Sequence, residues 1–193
     1  MSALAADVAT RTRLMEAALI LFRQRGFHGV GIAEILRVAR APKGSLYHHF
    51  PGGKVDLAVA VVQNIESRLQ QLFAANASFA APILVRNIGN SVWQWMRRAG
   101  GDACALLASF AAEGDTDPAL RAAVGHAYRT TTESLRASLQ RDGWSPGQAR
   151  DRAGIVLALF EGAGLVSHAR GEPRLFSTAI RHAVRVCERE GTF

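Results

Sequence analysis

The chain has 193 residues, of which 49% are hydrophobic and 20% charged; this allows a packed core and excludes a disordered chain. Its net charge of +7 is uneven: residues 1–54 hold eight Lys and Arg against three Asp and Glu, and the remaining 139 hold fifteen against thirteen. A basic quarter joined to a near-neutral remainder points to one part that meets a polyanion and another that does not. Cys104 and Cys187 have no metal-type spacing and read as reduced, buried thiols of a cytoplasmic protein. No signal-peptide pattern precedes Arg11, and the mostly apolar run Ala153–Ala169 is short and carries Glu161 in its middle. That run is expected to be a buried helix of a soluble protein, with no membrane partner.

In chain order, Leu14, Ala18, Leu21 and Phe22 form one apolar stripe and predict a first helix over about Val8–Arg25, stopped by Gly26. A short second helix is predicted over Ile32–Val38. After a tight turn, Pro42 opens a third over about Lys43–Phe50, and Pro51-Gly52-Gly53 breaks the chain. Leu57, Val61, Ile65, Leu69 and Leu72 continue one stripe along a long helix from Lys54 to about Asn76. Pro82 opens the next, closed by Gly100-Gly101. Asp117-Pro118 and Ser145-Pro146 have the pattern of an N-cap followed by a first-turn proline, with stops at Asp142-Gly143 and Gly171. Glu172-Pro173 begins the last helix, to about Glu190. No alternating strand pattern occurs, so the fold class is all-α, with about nine helices.

Two short helices joined by a tight turn, the second bearing exposed polar groups, make a helix-turn-helix, whose second helix fits the DNA major groove. Ile32, Ile35, Val38 and Leu46 are expected to pack this unit. Lys43 can reach a phosphate, and Gly44 lets the backbone come close to DNA. Ser45 and His48 point outwards, and Tyr47 lies beside the sugar-phosphate chain. Arg11 is the first helix's phosphate candidate, and Lys54 completes the DNA-binding set. His48 and His49 are neighbours on a helix and point about 100° apart, so they are not expected to hold a metal as a pair, and no metal or other cofactor is expected.

The run GIAEILRVARAPKGSLYHHFPGGKVDL, with AALILFRQRGFHGV ahead of it, resembles the heads of the TetR/AcrR family of bacterial repressors. The PKGSLYHHFPGGK portion is similar to a drug- and flavonoid-responsive subgroup related to the lincomycin-resistance repressor. Four departures stand out: Gly31 where the family has Thr, Arg40 at the turn glycine, Pro42 at the Ser cap, and one extra residue between Phe50 and Lys54. The resemblance implies a DNA-binding domain over residues 1–53 and a ligand-binding, dimerising domain over 54–193. It also implies an apolar cavity in the second domain. Trp93, Met96, Leu107 and Phe110 are its candidate wall, and His126 and Glu161 its polar anchors.

The last two helices are apolar over a wide arc, and Gly162, Ala163 and Gly164 allow close helix approach. Leu159, Gly162, Ala163, Val166, Ile180 and Val184 are the candidate interface of a homodimer, since helix-turn-helix proteins read palindromes as dimers. The expected function is a ligand-responsive dimeric repressor. Its partners would be a double-stranded DNA operator and a hydrophobic or aromatic small-molecule effector. Two alternatives stay open: a helical enzyme with a basic surface, and a DNA-binding regulator without a ligand. No nucleophile-elbow pattern surrounds Ser109 or Ser167, so no catalytic residues are expected.

Overall fold

The computed structural model describes residues 3–98, 107–111 and 117–189, and among these finds helices and turns and no strand. In order they are α1 (Ala3–Arg25), α2 (Ile32–Ala39), α3 (Ser45–His49), α4 (Lys54–Ala75), α5 (Ala81–Arg98), α6 (Ala108–Ala111), α7 (Pro118–Arg141), α8 (Pro146–Arg170) and α9 (Arg174–Cys187). They fall into two compact units: residues 1–65 with 109–125, and residues 66–108 with 126–193. Helices α4 and α7 therefore begin in the first unit and end in the second. No described helix is long and apolar enough to cross a membrane.

Local chemistry sets most boundaries. Asp117 Oδ1 accepts from the amides of Ala119 (2.9 Å) and Leu120 (3.1 Å) and caps α7. Ser145 and Gln148 form a reciprocal capping box ahead of α8, with Pro146 at its first position. Helix α1 starts at Ala3 rather than at Val8, because its opening residues are good helix formers and nothing there breaks the chain. Helix α3 starts at Ser45 rather than Lys43: the Pro42 carbonyl first accepts from Ser45 N (3.0 Å) and closes a turn. Gly100 and Gly101, the expected stop of α5, lie outside the described residues, as does Cys104.

In the first unit, Leu14, Ala18 and Phe22 of α1 pack with Ile35, Leu36 and Ala39 of α2 and with Leu46 and Phe50. Phe22 stands 5.5 Å from Phe27 and meets Phe110 edge-on at 5.9 Å, ring centre to ring centre. Val38, expected in this core, is 40% exposed. The inner arc of α2 runs through Ile32, Ile35, Leu36 and Ala39, and Val38 points away from it.

In the second unit, α9 packs on both α5 and α8. Gly89 is what lets α5 and α9 close up: a Cβ there would stand 2.9 Å from Ile180 Cγ1 and 3.1 Å from Phe160 Cζ. Ala81 N, at the start of α5, donates to Asp142 Oδ2 at 2.6 Å. The Arg152 guanidinium lies 3.6 Å from the Trp144 ring centre and donates to the Val186 carbonyl, clipping α8 to α9. The thiol of Cys187 is buried, and burial pushes its pKa up to about 12, so it is inert packing.

Candidate functional site

The head presents its polar groups around α3. Lys43 and Gly44 are exposed, and Tyr47 is 56% exposed. Gly44 has φ −74°, and a Cβ there would meet nothing within 4 Å, so nothing inside the chain requires a glycine at this position. Ser45 is half-buried, less open than expected, while the His48 side chain is 70% exposed. The Arg11 guanidinium lies 5.3 Å from the Phe50 ring centre and donates to Met15 Sδ at 3.3 Å.

Lys54 and the pair His48 and His49 depart from the sequence reading. Lys54 Nζ donates to the carbonyls of Phe27 (3.0 Å) and Val30 (3.1 Å), so two of its three protons tie the start of α4 to the α1–α2 loop. His48 and His49 also converge after all. Asp7 of α1 reaches both, its Oδ1 standing 3.3 Å from His48 Nε2 and 3.5 Å from His49 Nε2. Helix direction alone separates neighbouring residues; a carboxylate from another helix brings them together. Arg13, absent from the expected set, donates to the Ala39 carbonyl (3.2 Å) and ties α1 to the end of α2.

The second unit encloses a cavity of about 60 Å³. Its wall includes Leu69 and Phe73 of α4, Ile88 and Met96 of α5, Leu107 just ahead of α6, Thr131 and Leu135 of α7, Val156, Phe160 and Glu161 of α8, and Phe176 of α9. Of the six expected ligand residues, Met96, Leu107 and Glu161 meet here. Trp93 is one ring removed: it stacks on Phe176 at 5.5 Å. Phe110 belongs to the first unit, packed on Phe22. His126 is outside the cavity, its Nε2 3.3 Å from Glu66 Oε1. Phe160 and Phe176, the aromatic rings that do line the wall with Phe73, carry no mark in the sequence that separates a cavity wall from ordinary core.

Among the described residues, Glu161 is the ionisable group of this wall. Its two carboxylate oxygens accept from Leu107 N (3.4 Å) and Ala108 N (3.1 Å). Burial in apolar surroundings raises its pKa to about 7, against the lowering effect of these two bonds. Burial and the nearby Glu161 charge also hold the Tyr128 phenol above its usual range, so it stays neutral. The two threonine hydroxyls have given their protons to backbone carbonyls, Thr131 to Ala127 (2.7 Å) and Thr132 to Tyr128 (2.7 Å).

Known proteins match both units. A family model described as bacterial regulatory proteins, tetR family, matches residues 14–61. A second, described as transcriptional regulator LmrA/YxaF-like, C-terminal domain, matches residues 84–182, more than half of the chain. The chain belongs to the TetR family. It is a DNA-binding transcription regulator and not an enzyme. The HTH-type transcriptional regulator LmrA of Bacillus subtilis is 29% identical to it over 164 residues, 82% of this chain and 86% of that protein. A TetR regulator from Legionella pneumophila has the same fold, with a TM-score of 0.83 at 17% identity over 91% of this chain and 96% of that one. A TetR regulatory protein from Rhodobacter sphaeroides gives 0.78 at 23% identity, over 91% and 97%.

Proposed function

We propose that this TetR-family regulator is a ligand-responsive homodimeric repressor of a palindromic operator, released by a mainly apolar, aromatic effector. The cavity of the second unit carries this reading: an almost wholly apolar wall drawn from five helices, with one carboxylate among its described residues, is the composition of a small-molecule site. Its volume of about 60 Å³ has room for a few waters, not for a drug-sized ligand. An effector must therefore part the walls, and Met96 and the ring of Phe160 are side chains that can give way. A ligand that binds an opened form better than the closed one shifts the population between them, and α4, which continues into the head, is the connection through which DNA and ligand oppose each other.

On the DNA side, Lys43 and Arg11 are assigned to phosphates, Tyr47 to the sugar-phosphate chain, and Ser45 and His48 to base edges, with Gly44 clearing the approach. Residues 1–53 form the DNA-binding domain in this assignment, and 54–193 the rest. The dimer is assigned to α8, where Ile155, Leu165 and Val166 are 49%, 45% and 43% exposed beside Leu159, Gly162 and Ala163. Ile180 and Val184 of α9 are already buried within the chain, so their share of the interface is small.

The small cavity also favours a second reading, a DNA-binding regulator that answers to no ligand. A thermal-shift panel of aromatic compounds decides between them, followed by gel shifts on a genomic fragment that the purified protein retains. At least one compound is expected both to raise the melting temperature and to release the fragment. A panel in which none does either selects the second reading.

A further inference from the structure

The polar inventory of the cavity wall is one-sided. Among the described residues it comprises the Glu161 carboxylate and the hydroxyl oxygens of Thr131 and Thr132, whose protons are committed to helix carbonyls. The amides of Leu107 and Ala108 are committed to Glu161. Among the described residues the wall contains no Lys, Arg or His, and the undescribed segments 99–106 and 112–116 contain none of these residue types. The wall thus offers acceptors. A carboxylate has about four lone-pair sites, and two backbone amides leave room for a further donor.

From this arrangement we infer that the effector is a hydrophobic base, an aromatic ring system bearing a protonated amine that donates to the Glu161 carboxylate. This rests on reading the cavity as the effector site and narrows that reading to a ligand class. A negative charge enclosed by Leu, Val, Met and Phe is costly alone and is stabilised by a partner of opposite sign. A neutral aromatic gains the same apolar contacts but leaves the carboxylate as it was. An aromatic acid places a second negative charge beside Glu161 with no base to offset it.

Three matched probes test the inference by calorimetric titration at pH 8: 1-naphthylmethylamine, 1-naphthylmethanol and 1-naphthoic acid. The amine is expected to bind about tenfold or more tightly than the alcohol, the difference that a charge-assisted hydrogen bond supplies. The acid is expected to bind most weakly. In Glu161→Gln the amine and the alcohol are expected to bind alike, with the alcohol's affinity close to its value in the native protein. Equal binding of amine and alcohol to the native protein, or an amine preference that survives in Glu161→Gln, overturns the ligand class and leaves the cavity reading standing. Failure of all three probes to bind the native protein overturns the cavity reading, and this inference with it.

Discussion

The Lys54 ammonium stands 4.3 Å from the centre of the Phe27 ring and donates to the Phe27 carbonyl at 3.0 Å. With the second bond to Val30, this makes Lys54 a clasp between the start of α4 and the loop after α1. Lys54→Met is expected to destabilise the protein by about 2 kcal/mol, since hydrogen bonds to a charged group are lost and two carbonyls lose their donor. Urea unfolding measures this. Operator binding by Lys54→Met should keep the native salt dependence, whereas exposed Lys43→Ala should lower the salt slope by about one unit. A stable Lys54→Met with a reduced slope would put the ammonium on a phosphate instead.

Arg40, which ends α2, is the only described residue other than glycine with positive φ, at 49°. A side chain in the left-handed region costs about 1–2 kcal/mol that glycine avoids, less the extra freedom glycine has when unfolded. Arg40→Gly should therefore raise stability by about 0.5–1 kcal/mol, visible as a higher melting temperature. A lower one would mean that the Arg40 side chain contributes more than its backbone costs.

The head was legible because its signals are local. Gly26, the Arg40 turn, Pro42 and the Gly52-Gly53 break are chain-neighbour effects, and the stripe through Leu14, Ala18 and Phe22 reports its own helix face. The same locality made Asp117-Pro118 and Ser145-Pro146 readable as helix starts. The cavity wall was only half legible. An acid in a long apolar run marks itself, which is why Glu161 was identifiable; Phe110, Trp93 and Phe176 are equally apolar in sequence. Packing alone puts Phe110 on Phe22, Trp93 behind Phe176, and Phe176 on the wall. Lys54 and the meeting of Asp7 with His48 and His49 depend on contacts more than twenty residues apart, which no periodicity encodes.

Glu161 also gives stability a pH dependence of known sign. Its pKa is about 7 in the folded protein and 4.5 for an exposed glutamate, so between these values the folded state holds a proton that the unfolded state has lost. Stability is thus full below about pH 4.5 and declines as pH rises through 7, by roughly 3 kcal/mol in all. Glu161→Gln has no such titration. Its urea midpoint, compared with that of the native protein, should gain from pH 5 to about pH 7 and level off by pH 8. A constant difference between the two across that range would mean that the carboxylate is ionised in the fold without penalty.

Charges placed on α8 and α9 should separate association from folding. Val166 lies on the exposed apolar stripe, so Val166→Asp should give folded monomers by light scattering with native circular dichroism. Ile180 packs inside the chain opposite Gly89, so Ile180→Asp should lower the melting temperature or prevent folding altogether. Dimers that persist in Val166→Asp would move the interface away from this stripe.

The most direct measurement is a DNase I footprint of the purified protein on the DNA upstream of its own gene, without and with 1-naphthylmethylamine at a concentration that saturates the cavity by calorimetry. Two-fold-related half-sites about one helical turn apart should be protected, as a dimer of helix-turn-helix heads requires, and the amine should remove that protection. A footprint that persists with the cavity saturated, or one confined to a single half-site, would contradict a dimeric repressor released by its ligand.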